Sequence, residues 1–233
     1  MRFLPESLVH LQSRGRVEEA RRWRARLGLP EATAPAEDAG TAPAGGRLSV
    51  VLGRAYLPTT LLFCAATFAS LLVLFGLYTW LPQLMRTAGY EVGSALTFLV
   101  VLNLGTAVVP LVIGRIADRV GSRPTIAGSF LLAALGIGTL SQPLPTAVLY
   151  LAVVLAGVGT VGTQILINVF IASLYPVQVR ATAIGTALSI GRLGGIVGPL
   201  YGGLLLAAGL PTPVLFYAFA GPALLGALVI LAI

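Results

Sequence analysis

The chain has 233 residues, 57% of them hydrophobic and only 10% charged, with a mean hydropathy of +0.93. Soluble domains run near about 45–50% apolar and about 25% charged, so a soluble globular fold is excluded. The net charge of +7 comes from arginines that flank apolar segments rather than from a basic face on a soluble module, so no nucleic-acid partner is expected.

Most enzyme classes fall by composition. Every cation is Arg, so a P-loop, which needs Lys, is absent. Cys64 is the only cysteine and His10 the only histidine, which leaves neither a Cys/His zinc site nor a His-based dyad within the membrane. The reading is therefore not an enzyme, with no metal and no cofactor.

Residues 1–29 read as a short cytosolic segment of two amphipathic helices, Pro5 to Ser13 and Val17 to Leu27, broken at Gly15 and stopped by Gly28 and Pro30. Residues 30–54, rich in Ala, Pro, Gly and Thr, read as a flexible linker. Residues 55–233 read as a six-helix transmembrane bundle, with segments at 57–82, 94–116, 124–142, 146–173, 181–208 and 212–233. Each is close to the roughly 20 residues that cross a bilayer as a helix. Their edges are set by Pro82, by the charged turn Gly114 to Pro124, by Pro143 and Pro145, by Tyr175-Pro176, and by Gly209 to Pro213.

Arginine placement sets the expected orientation. With a cytosolic N-terminus, the nine arginines up to Arg54 lie inside together with Arg115, Arg119, Arg123 and Arg180, and only Arg86 lies outside. Six crossings return the C-terminus to the cytosol, giving a multi-pass protein of the plasma (inner) membrane. The chain stops at Ile233 without a polar tail, as a truncated chain would.

Arg192 is the sharpest chemical feature. Eleven residues into its segment, it lies roughly 16 Å deep, near the bilayer centre, where placing Arg costs at least about 2.5–3.5 kcal/mol. Gln164 and Asn103 fall at a similar depth, and Asn168, spaced i,i+4 from Gln164, shares its face one turn nearer the cytosol. Amides beside a guanidinium make a cradle for a carboxylate through charge-assisted hydrogen bonds. The competing reading is polar glue between helices, which is favoured for Asn103.

Gly191, Gly194, Gly195, Gly198 and Gly202, with Pro199, lie along the segment that carries Arg192 in small-xxx-small spacing, a helix-packing pattern. The run Gly157-Val158-Gly159-Thr160-Val161-Gly162 matches a dinucleotide fingerprint by letters only, since it sits in an apolar helix and follows no strand. In the charged turn, Asp118 can hold a helix N-terminus or an arginine in one conformer and release it in another.

These residues together resemble the major facilitator superfamily of secondary transporters, and within it the aromatic acid/proton symporters. The carrying stretches are Leu4-Pro5-Glu6-Ser7, Gly15-Arg16, Glu19-Ala20, Trp80-Leu81-Pro82 and the charged turn, followed by Gln164-x3-Asn168, Tyr175-Pro176-x3-Arg180-Ala181-Thr182, Gly191-Arg192-x-Gly194 and Gly198-Pro199 with Gly202-Gly203. The resemblance implies twelve helices in two halves, of which this chain is similar to the C-terminal six-helix half with its central loop. It further implies proton-coupled alternating-access transport of a small organic anion, an aromatic carboxylate. Arg192, Gln164, Asn168 and Asn103 would bind substrate, and Gly114, Asp118, Arg119, Gly121, Arg123 and Arg180 would form the cytosolic gate. Expected partners are the lipid bilayer, the anion, protons, and the missing N-terminal half or a second copy of the chain. This sequence departs from the family at Leu8-Val9-His10, where an arginine usually follows, and at Ser122, usually basic. The family's proton-coupling carboxylates belong to the other half. The alternatives are a non-transporting orphan half that acts as a membrane partner or sensor, and a sugar or other small-solute porter working as a homodimer.

Overall fold

The computed structural model describes Leu11, residues 16–26 and residues 46–233. Among these the regular structure is helical throughout. The chain divides into two units, Met1–Arg47 and Leu48–Ile233. In the first, α1 (Val17–Arg26) corresponds to the second expected amphipathic helix. Its turns carry an Arg21–Glu18 ion pair and the Arg26 guanidinium over the Trp23 ring. The other expected helix, Pro5 to Ser13, and the linker up to residue 45 lie outside the described residues, Leu11 excepted.

A short helix, α2 (Gly46–Val51), precedes six long ones: α3 (Leu57–Thr87), α4 (Val92–Val120), α5 (Ser122–Thr139), α6 (Thr146–Leu174), α7 (Val177–Ala207) and α8 (Thr212–Leu231). Four of them, α3, α6, α7 and α8, are long and apolar enough to cross a membrane. The α5 helix opens with Ser122-Arg123-Pro124, which dilutes its 18 residues.

Three expectations change. Residues 46–51 are helical rather than linker, because Val51 is fully buried and its carbonyl accepts the Thr60 hydroxyl at 2.9 Å. The α3 helix runs through Pro82 to Thr87, since one missing N–H removes one bond without ending the helix. The expected turn Gly114 to Pro124 contracts to a single residue. Helix continues to Val120 and restarts at Ser122, and only Gly121, at φ 100°, breaks it, in a region that favours glycine.

The start of α3 lies against the end of α6, where the Thr60 and Tyr175 hydroxyls meet at 2.7 Å, so these two helices run antiparallel. Packing is most extensive between α3 and α7 and between α5 and α6, followed by α5–α8, α4–α6 and α3–α8. Exchanging α3, α4 and α5 for α6, α7 and α8 turns α3–α7 into α6–α4 and α3–α8 into α6–α5, and returns α3–α6 and α5–α8 to themselves. The unit is thus two three-helix repeats in inverted orientation.

In lipid, helices gain nothing by hiding apolar surface from one another, so close approach of backbones has to hold them. Glycine supplies it. A Cβ at Gly191 would overlap Thr67, and one at Gly194 or Gly198 would overlap the carbonyl of Phe68 or Leu72, which seats α7 directly on the α3 backbone. The letter-match run on α6 has the same use: Gly157 faces the Leu102 carbonyl of α4, and Gly159 the Ser129 carbonyl and Ala133 of α5.

Candidate functional site

Hydroxyls in transmembrane helices usually return their proton to a carbonyl one turn back. Thr125, Ser129, Thr160 and Thr163 all do so here. Two buried hydroxyls do not: Thr67 Oγ1 and Ser70 Oγ of α3 have no partner. Three further buried atoms without one lie on α6, namely Oε1 and Nε2 of Gln164 and Oδ1 of Asn168. Each such atom costs about 1–3 kcal/mol in a low-dielectric interior.

Helix register brings the residues that carry these five atoms to a similar depth. The Thr60–Tyr175 hydroxyl contact pins α3 to α6 at one end. Seven residues along each helix, a return to the same face about 10 Å away, stand Thr67 and Asn168. The Phe63 ring meets that of Phe170 edge-on at 5.3 Å, and the same step from Phe63 reaches Ser70, opposite the turn that holds Gln164. The hydroxyl pair of α3 and the amide pair of α6 therefore stand at one level of the α3–α6 pair. Nothing in the sequence singles out Thr67 and Ser70, because threonine and serine recur through all these helices.

Arg192 reaches that level from α7. Its neighbour Gly191 lies against Thr67, so Arg192 sits within one residue's rise of the same depth. The guanidinium is exposed, on the side that also exposes Leu193, Ile196 and Leu200. This side is barely covered: 22% of the apolar stretch of α7 is buried, against 67% for α3. Asn103 stands apart. Its amide oxygen accepts from the Tyr78 hydroxyl at 3.1 Å and its Nδ2 donates to the Leu99 carbonyl at 2.8 Å, roughly 12 Å along α3 from Ser70.

The expected gating residues divide among helix ends. Gly114, Asp118 and Arg119 ride on the last turns of α4, and Gly114 and Asp118 line a cavity of about 190 Å³ floored by Gly162, Leu166 and Val169 of α6. Gly121 makes the break between helices. Arg123 donates to the Leu231 carbonyl, placing a cation at the C-terminal end of α8 where the helix dipole favours it. Arg180 lies on the first turn of α7, half-buried, with Nε unpartnered. At that same end Tyr175 packs on Tyr56 and Phe63, and burial pushes its phenol up while the Thr60 bond pulls it back, so it works as a neutral hydroxyl. The packing residues Gly191, Gly194, Gly198 and Gly202 face α3, where Gly195 meets the Phe75 ring and the Pro199 carbonyl accepts the Trp80 indole N–H at 2.7 Å.

Residues 63–233 match the family model described as Major Facilitator Superfamily. The chain belongs to the major facilitator superfamily. Inverted three-helix repeats are already known as the plan of each six-helix half in this superfamily, and the contact pattern of α3 to α8 follows it. Membership makes this a multi-pass membrane protein of a transporter family. Over 169 residues it is 47% identical to a gentisate transporter of Corynebacterium glutamicum, covering 71% of this chain and 37% of that protein. It is 36% identical to a benzoate transport protein of Acinetobacter baylyi (72% and 36%) and 37% identical to a gallate transporter of Pseudomonas putida (74% and 39%). The chain thus spans well under half the length of these relatives.

Proposed function

We propose that this chain forms the C-terminal six-helix half of a proton-coupled carrier of small aromatic carboxylates at the plasma membrane. In this reading all six long helices cross the bilayer, α4 and α5 included, and both termini are cytosolic, which the arginine distribution supports. The observation that carries it is the unpartnered Gln164 amide and Asn168 amide oxygen in the membrane interior, at a depth similar to that of Arg192. A guanidinium exposed on an apolar helix face is untenable against lipid. It becomes useful once a second six-helix half covers α7 and a bound carboxylate answers the charge. The relatives named for gentisate, benzoate and gallate supply the substrate class. Asp118 and Arg180, at the end where Tyr175 joins Thr60, would open and close the cytosolic side against that other half.

The test is Arg192→Gln in cells that make the protein from its own locus. Uptake of a labelled aromatic acid is expected to fall at least about a hundredfold with membrane abundance retained, and undiminished uptake overturns the site. Collapse of wild-type uptake by a protonophore is expected from proton coupling, and insensitivity would point to a uniporter. A second copy of the chain would cover α7 equally well. The intact mass of the C-terminally tagged product separates the two, since a species near 24.1 kDa supports the dimer and a much larger one the two-half carrier.

A further inference from the structure

The unpartnered atoms between α3 and α6 are of both polarities. Gln164 Nε2 can only donate, Gln164 Oε1 and Asn168 Oδ1 can only accept, and the Thr67 and Ser70 hydroxyls do either. A cation would satisfy the oxygens and strand the amide N–H. A carboxylate would satisfy the donors and strand the amide oxygens. A hydroxyl group, which donates and accepts at once, answers both. We propose that Thr67 and Ser70 belong to the substrate site and, with the amides of Gln164 and Asn168, read a hydroxyl on the ring of an aromatic acid whose carboxylate is held at Arg192.

The placement suits this division of labour. Thr67 touches Gly191, the residue before Arg192, with its methyl group. Its hydroxyl is not spent on that contact, and Arg192 and the hydroxyl-reading groups stand at a similar depth. Thr67 is 0% and Ser70 1% exposed. Their hydroxyls therefore become available when α3 and α6 part, and in the closed interface they stay unsatisfied. A ring hydroxyl supplied by substrate would offset that cost, and an unsubstituted ring would not. Sites built to bond a substrate hydroxyl discriminate strongly against analogues lacking it, because the buried polar groups are then stranded.

This inference rests on the substrate reading above, and the experiment keeps the two apart. Cells producing the protein from its own locus would be tested for uptake of 2,5-dihydroxybenzoate, 4-hydroxybenzoate and benzoate. Wild-type cells with no uptake of any of them overturn the substrate reading itself. Given wild-type uptake, Thr67→Val and Ser70→Ala are each expected to reduce uptake of at least one hydroxylated acid at least about tenfold more than uptake of benzoate. Thr67→Ser, which keeps the hydroxyl, should restore the wild-type ratio, and Thr125→Val, a hydroxyl bonded to its own helix, should leave the ratio unchanged. Equal losses for all three acids mean that the hydroxyls hold a water or the fold, and they overturn the inference. So does an unchanged ratio. Benzoate uptake by the same cells serves as the measure of folded protein.

Discussion

Helix α3 meets α7 on one side and α6 on the other, and the two interfaces are built in opposite ways. Toward α7 it presents backbone: glycines of α7 lie on the carbonyls of Phe68 and Leu72, and the Trp80 indole is bonded to Pro199. On its other side are the hydroxyls of Ser70 and of Thr67, which also borders Gly191 of α7; neither hydroxyl has a partner, nor do the Gln164 amide and the Asn168 amide oxygen on α6. A helix that only needed to be held would not leave unanswered hydroxyls along one face. The first interface is built by close approach, and in the reading proposed above the second keeps capacity for a ligand at some expense of stability.

The contrast can be broken first on the packed side. Gly194→Leu drives a side chain into the Phe68 carbonyl, which is backbone and cannot rotate away. It should separate the helices at a cost of about 3 kcal/mol, seen as a lower melting temperature in detergent and reduced membrane abundance. On the polar side the sign reverses. Gln164→Leu replaces two unpartnered atoms by methyl groups of similar volume and should raise stability by about 1–3 kcal/mol while abolishing uptake. A Gln164→Leu protein that is both less stable and inactive would place Gln164 among structural residues. The smallest effect sharpens the first. Gly185→Ala, on the same helix as Gly194 but with nothing within 4 Å of the added methyl, should be neutral or stabilising by about 0.5 kcal/mol in the same melt.

The long helices were legible because long apolar runs admit few other readings, and each of the six expected segments overlaps one. Their ends were less so. Proline and clustered charge stop helices in water, but Pro82 is carried inside α3, and Arg115 to Arg119 stay helical to the end of α4. The stop at Gly121 depends on a backbone angle that its neighbours in sequence do not announce. Gln164, Asn168 and Arg192 stood out as polar letters in apolar runs. Thr67 and Ser70 did not, since whether a hydroxyl bonds its own helix depends on what the neighbouring helix offers. Asn103, matched to the others by counting from a helix end, belongs to a different level once Tyr78 is seen to hold it.

Pro222 lies inside α8 and has no N–H for the carbonyl of Ala218, four residues earlier. The Tyr201 hydroxyl of α7 donates to that carbonyl instead, at 3.0 Å. These two helices otherwise meet mainly where Phe219 packs on Tyr201 and Gly202, so the phenol acts as a leash between them. If α7 pivots on its glycine bearing during a transport cycle, the motion is free only while the leash stays slack. Beyond that reach a bare carbonyl opens toward lipid and pulls the helix back, which gives the rocking element a stop at the far end of its travel.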